Sequence, residues 1–402
     1  MNPTRRIPIV EPVDVARAMH HEPGFVFLDS ALSGEQSVSI IASNPDFVLR
    51  GRDWDALERE LNKRRQDSGS ADHPEGAAIG WIGYDGDFRF CFYNHIHVFE
   101  HETGNWRSFP KNFDGSPSAC PRAPIDFRPV LGCDEFLRMV AAAQEYIAAG
   151  DIYQVCLSHP FQAFGDANPW AFYEMLRKYS PAPYGAYLSD GDFQIASASP
   201  ESFLRISGRK IQTSPIKGTR PRHPDKAGDQ LSSLELLNSA KEIAELVMIT
   251  DLERNDLGRV CRYGSVHVPE LLRLESFEQV FHLVSTISGE LRDDVSHVMA
   301  LRECFPGGSI SGAPKKRAME IIHELEVHPR GLYTGAIGYF GYNGVSQFSI
   351  AIRTAVFEQG SSQFHVGAGI VADSIPEREW EETWHKAEGL LLAARACATS
   401  QP

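Results

Sequence analysis

The chain has 402 residues, of which 42% are hydrophobic, enough to bury one large core or two closely packed ones. Its net charge of -14 argues against a phosphate backbone as partner and points to small-molecule chemistry, with no nucleic acid involved. The seven cysteines are odd in number, scattered and free of any C-x-x-C pair, so they read as reduced thiols rather than a zinc site, and no apolar run reaches the roughly 18 residues that cross a bilayer.

The N-terminus lacks the apolar stretch of a signal peptide, so the sequence reads as cytoplasmic. From residue 1 to about 125, short β-rich runs (Phe25 to Leu28, Phe47 to Leu49, Ala78 to Tyr84, Phe88 to Tyr93) alternate with turn formers, which predicts strands and loops. Stretches 67–76 and 110–124 are rich in Ser, Pro, Gly and Asp and are expected to be surface loops. His95, His97 and His101 alternate at strand spacing, but no cysteine completes a metal set, so they read as a solvated strand face.

Residues 126–402 form the second expected region, intertwined with the first into one compact unit. Phe136, Val140, Ala143 and Ile147 recur at helical spacing up to a stop at Gly150, and the following Ile152 to Ser158 alternates as a strand. Cys156 lies within that strand and reads as packing. Further strands are expected at 186–188, 193–196, 335–342, 347–356 and 364–371, with helices at 240–251, 315–324 and 377–396. Strands and helices do not alternate regularly, so the sequence predicts an α+β fold with large antiparallel sheets and helices outside, and without an internal repeat.

Three features in this region invite a chemical reading. Glu242 with Glu245, and Glu379 with Glu382, stand at i, i+3 on two helices, so each pair shares a face. Converging carboxylates suit Mg2+, although pattern alone favours solvated faces, since Ser239 and Ser374 each open an S-x-x-E capping box. Lys217 stands in an otherwise uncharged run before Gly218, with Arg220 and Arg222 beyond; a loop lysine is ordinarily a solvated charge, but a neutral amine in a desolvated site is a nucleophile. Val366-Gly-Ala-Gly-Ile-Val-Ala fits G-x-G-x-x-A, yet the helix that should open at the glycines is postponed by Asp373, Ser374 and Pro376, leaving a small backbone anion nest as the alternative. Phe305 to Lys315 lacks G-K-[ST] and reads as a tight turn, either packing or touching substrate.

The order of these blocks resembles the chorismate-utilising family, which includes the large components of anthranilate synthase and aminodeoxychorismate synthase and the isochorismate synthases. The resemblance covers about Asp134 to Ala396 and rests on Gly150-Asp-Ile-Tyr-Gln-Val, Ser199-Pro-Glu-Ser-Phe-Leu, Pro215-Ile-Lys-Gly-Thr, Lys241-Glu-Ile-Ala-Glu, Asp251-Leu-Glu-Arg-Asn-Asp-Leu-Gly-Arg, His282-Leu-Val-Ser, the Phe305 turn, Ala351-Ile-Arg-Thr and Gly367-Ala-Gly-Ile-Val-Ala-Asp-Ser. The first region matches more loosely, through Phe27-Leu-Asp-Ser and Ser39-Ile-Ile-Ala-Ser-Asn-Pro, and Pro183-Tyr-Gly lies near the family's tryptophan contacts.

The resemblance implies that Glu245 and Glu382 hold Mg2+, with Glu242 and Glu379 close by or acting through water. It implies that Arg353, Tyr333 and the backbone of Gly367, Ala368 and Gly369 receive the enolpyruvyl carboxylate of chorismate, with Gly218, Thr219 and His282 lining the pocket. Glu201 is then the general acid for the C4 hydroxyl; its neighbour Ser202 replaces an arginine common in the family. Lys217 stands where C2-aminating members have a small residue, which implies a covalent adduct at C2 and delivery of nitrogen to C4, giving 4-amino-4-deoxychorismate for the 4-aminobenzoate and folate route. Gln154 replaces the lysine with which isochorismate synthases activate water. With no cysteine nucleophile elbow in the chain, ammonia is expected from a separate glutamine amidotransferase. The rival within the family is conversion of chorismate to anthranilate and pyruvate.

Overall fold

A computed structural model describes residues 10–32, 37–66, 73–110, 113, 123–277 and 280–397. Among these residues two large antiparallel sheets form, of eleven and ten strands. The expected loops at 67–76 and 110–124 fall mainly outside the described residues, as does Cys120, and the six other cysteines are free thiols. No helix among the described residues is long and apolar enough to cross a membrane.

Strands from the first 125 residues enter both sheets. Val26–Asp29 pairs with Tyr184–Asp190 in the eleven-stranded sheet, and Ala77–Ile82 pairs with Ala336–Gly341 in the ten-stranded one. Val26, Ile40, Ala186 and Ile195 of the first sheet share a buried cluster with Ile79, Cys91, Ile337 and Tyr339 of the second, so the sheets pack on each other. Helices cover the outer faces: Trp170, Phe172, Leu390 and Ala393 bury against one sheet, and Leu57, Leu257, Val298 and Leu301 against the other.

The first region is more than strands and loops. Pro12–Met19 and Trp54–Arg64 are helices. Helix Trp54–Arg64 is polar in composition, but Trp54, Leu57 and Leu61 make a narrow apolar stripe that meets the ten-stranded sheet, and the Asp53 carboxylate caps it by accepting from Ala56 N at 2.9 Å. Further along, Cys133–Ala148 is the expected helix, and Gly150 follows it at φ +81°, a conformation a side chain would strain. Another glycine requirement is a close approach: a Cβ on Gly80 would stand 1.9 Å from the Arg89 carbonyl oxygen.

The strand expected at 347–356 is two strands belonging to different sheets. Val345–Ile350 lies in the ten-stranded sheet and Thr354–Glu358 in the eleven-stranded one; the chain passes between them through Ala351 to Arg353, with Arg353 at φ +49°. A second passage runs beside it, from Phe193–Ser199 to Ser202–Ser207, with Glu201 between the two strands. The passages are tied together by Ile350 N to Glu201 O at 3.1 Å, Ala198 N to Arg353 O at 3.0 Å and Ser199 Oγ to Ile350 O at 2.6 Å. Glu201 and Arg353 thus stand at the junction of the two sheets.

Candidate active site

The carboxyl of Glu201 is buried at that junction, and its Oε1 has no hydrogen-bond partner among the described residues. Burial pushes the carboxyl above its ordinary range, opposed by the nearby Ser309 side chain and the Lys217 ammonium. A carboxyl with raised proton affinity is what a general acid requires.

Lys217 is in a strand, Ile216–Pro221, and not in a loop. Its strand pairs with Val280–Glu290, placing Lys217 opposite Leu283 and Thr219 opposite His282, with the register shifted between them. Gly218, at φ +75°, forms that irregularity, and a Cβ there would meet Leu236 Cδ1 at 2.6 Å and Glu242 Oε2 at 3.2 Å. The strand therefore passes close against the first carboxylate helix. Lys217 Nζ donates to the Ser309 carbonyl at 3.2 Å, and its charge acts on Glu201, Glu245 and Glu382 alike. Thr219 Oγ1 and His282 Nδ1 are 3.0 Å apart; burial and then Arg353 push His282 down to about 4, so its ring is neutral at neutral pH.

The carboxylate pairs lie on helices Ala240–Val260 and Pro376–Ala396. Ser239 caps the first as expected, accepting from Glu242 N at 3.4 Å. Ser374 does not cap the second. That helix starts at Pro376 without a side-chain cap, and Ser374 Oγ donates instead to Glu379 Oε1 at 2.8 Å while accepting from Val371 N. Lys241 reaches both helices, 3.9 Å from Glu245 Oε1 and 3.7 Å from Glu379 Oε1. Burial raises Glu245 against the pull of Lys217 and Lys241; burial also raises Glu382, but Lys386, Lys241 and Lys217 outweigh it and hold that carboxyl low.

Carboxylate oxygens are the ligands a hard divalent cation takes, and Glu245 Oε1 and Glu379 Oε2 are buried without hydrogen-bond partners among the described residues, as a cation-binding set would be. As the side chains lie, no group of three or more among the described residues is gathered around one point ready for an ion. Lys217, Lys241 and Lys386 supply the positive charge that faces these carboxylates.

Tyr333 is buried and stacks on His365 with ring centroids 5.4 Å apart. Arg330 lies over the Tyr333 ring and forms a buried ion pair with Glu326, 2.7 Å, while donating to the carbonyls of Cys156 and Ile310. Gly367, Ala368 and Gly369 lie inside the strand Ser361–Ile370, with no glycine there at positive φ, so they are not a turn-type anion nest. The glycines serve close approach. A Cβ on Gly367 would come 2.9 Å from Tyr333 Oη, and one on Gly369 would come 2.6 Å from Gln154 Nε2. The methyl of Ala368 points into the helix-covered core with Phe136 and Ile321, leaving only its backbone for the site. Gln154 is buried, and its Oε1 lacks a partner among the described residues. Arg353 meets no carboxylate among the described residues, and burial lowers its proton affinity. With Lys386 and Phe277 it lines a cleft of about 180 Å³.

The expected tight turn from Phe305 to Lys315 contains the short helix Gly308–Ile310 and supplies the Ser309 carbonyl to Lys217. Its Lys315 is structural, bonded to Asp256 and to the carbonyls of Cys304 and Pro306. His97 and His101 bond Ser108 and Ser39. Sequence reasoning missed Lys386, which donates to Gly367 O at 2.8 Å and pairs with Glu382 at 2.7 Å; its place one turn after Glu382 was the available signal. It also missed Ser309, Lys241 and Glu253, whose roles depend on contacts across distant segments.

Residues 25–392 match the model of the chorismate binding enzyme family. Anthranilate synthase component 1 of Thermus thermophilus is 48% identical over 260 residues, covering 65% of this chain and 56% of that protein. Aminodeoxychorismate synthase component 1 of Bacillus subtilis is 47% identical over 260 residues, covering 65% of this chain and 55% of that protein. These alignments span about half the length of the curated relatives. The crystal structure of anthranilate synthase component I from Streptococcus pneumoniae superposes with a TM-score of 0.80 at 30% identity, covering 97% of this chain and all of that one.

Proposed function

The chain belongs to the chorismate binding enzyme family, and from that premise we propose that it replaces the C4 hydroxyl of chorismate by an amino group, giving 4-amino-4-deoxychorismate. The observation that carries this reading is Lys217, whose ammonium acts electrostatically on both Glu201 and the carboxylates Glu245 and Glu382. In its neutral form the Lys217 amine attacks C2 while Glu201 protonates the C4 hydroxyl, which leaves as water. Ammonia then adds at C4 and expels the lysine from C2, so that the net exchange is hydroxyl for amine.

Arg353, which meets no carboxylate among the described residues, suits the enolpyruvyl carboxylate, with Tyr333 and the backbone of Gly367 to Gly369 as further groups to receive it. Gly218, Thr219 and neutral His282 line the ring, and Gln154, uncharged, is no base for activating water. Glu245 and Glu382, with Glu242 and Glu379 close by, would hold Mg2+. When bound, that ion supplies positive charge for the ring carboxylate. Ammonia comes from a separate glutamine amidotransferase in the cytoplasm, and the product feeds 4-aminobenzoate and folate synthesis.

The second reading, formation of anthranilate and pyruvate, is favoured by the names of several relatives. The two are separated by incubating the purified chain and Lys217→Ala with chorismate, Mg2+ and an ammonium salt, then resolving products by chromatography and mass spectrometry. Accumulation of 4-amino-4-deoxychorismate without pyruvate, lost in Lys217→Ala, is expected. Anthranilate with pyruvate would refute the C4 reading.

A further inference from the structure

Lys241 is the second residue of helix Ala240–Val260, where the positive end of the helix dipole disfavours a cation. Something else must hold its charge there. Its ammonium spans to Glu245 on its own helix and to Glu379 on helix Pro376–Ala396, at 3.9 and 3.7 Å. Both distances exceed hydrogen-bonding range, so the contacts compensate charge without bonding the oxygens.

Other members of the cluster have their own partners. Glu382 pairs with Lys386 at 2.7 Å, Glu242 lies 3.7 Å from Arg220, and Glu379 Oε1 accepts from Ser374. Glu245 Oε1 and Glu379 Oε2 remain without hydrogen bonds, although Glu379 is only 3% exposed. Lys241 itself is 54% exposed along its side chain and sits on a flexible stem, so it can leave for water without breaking a hydrogen bond.

We propose that Lys241 is a built-in, displaceable counter-ion, neutralising the carboxylate cluster when no divalent cation is bound and swinging into solvent when one binds. It thereby competes with the cation and weakens its affinity. This inference rests on reading the four carboxylates as a Mg2+ site.

The test uses the full chain without chorismate, comparing wild type, Lys241→Met and Lys241→Arg. Mg2+ is titrated by calorimetry and by thermal unfolding at constant ionic strength. Removing one partly solvated charge should tighten Mg2+ binding by roughly two- to fivefold in Lys241→Met and enlarge its Mg2+-induced thermal shift. Lys241→Arg should bind Mg2+ as wild type does. Equal or weaker Mg2+ affinity in Lys241→Met overturns the counter-ion role while leaving the metal assignment standing. Absence of Mg2+ binding in all three proteins overturns the metal assignment and the counter-ion role together.

Discussion

Glu253 offers a direct test of how burial governs ionisation next to the site. It lies on helix Ala240–Val260, is 4% exposed, and accepts from Thr213 Oγ1 at 2.6 Å. Burial pushes its carboxyl up to about 8; Glu201 and Asp256 add to the rise, while Thr213 and Lys315 oppose it. The folded chain therefore holds a proton that the unfolded chain, with an ordinary value of 4.5, has already lost. Stability from this group is present below 4.5 and drains away as pH rises toward about 8. At ~1.36 kcal/mol per pH unit, the whole span costs at most about 5 kcal/mol, and the part between about pH 6 and pH 8 about 2 kcal/mol. Glu253→Gln keeps an acceptor for Thr213 but cannot ionise. Urea unfolding at the two pH values should show wild type losing about 2 kcal/mol more than the variant on going to the higher pH. Parallel losses in the two proteins would refute the assignment of a proton to folded Glu253.

Two further outcomes follow from the same geometry. Glu201→Gln should cut turnover of chorismate by roughly 10²–10⁴ while leaving its binding within a few-fold, measured by steady-state kinetics beside calorimetric titration; equal loss in both would make Glu201 a binding group instead of an acid. Arg330→Met leaves Glu326 as an unpaired buried charge and should destabilise the fold by about 3–5 kcal/mol in chemical denaturation, with a loss below ~1 kcal/mol contradicting the buried pair.

Local patterns in the sequence determined much of this protein. The i, i+3 spacing put Glu242 with Glu245 and Glu379 with Glu382 on single helix faces, because a helix fixes neighbours three residues apart whatever surrounds it. The Ser239 cap and the Gly150 stop were legible for the same reason. Where a local signal had a competitor, the fold chose: Ser374 abandoned the predicted capping box because Pro376 sets the helix start and the Glu379 carboxylate lies within reach of its hydroxyl. Helix Trp54–Arg64 was hidden because three apolar residues suffice when a sheet is waiting to cover them.

Tertiary structure alone decided the rest. The run from 347 to 356 reads as one strand by alternation, yet the chain leaves one sheet and enters the other at Arg353, and that passage, paired with the one through Glu201, creates the junction where the candidate site stands. Ser309 beside Lys217, Lys241 beside Glu379 and Glu253 beside Glu201 likewise join segments far apart in the chain. Periodicity records which way a side chain faces on its own element, and it carries no information about which distant element will face it. The identities of the candidate groups were written in the sequence, whereas their burial, their charge partners and hence their proton affinities came from the packing of the two sheets and the helices around them.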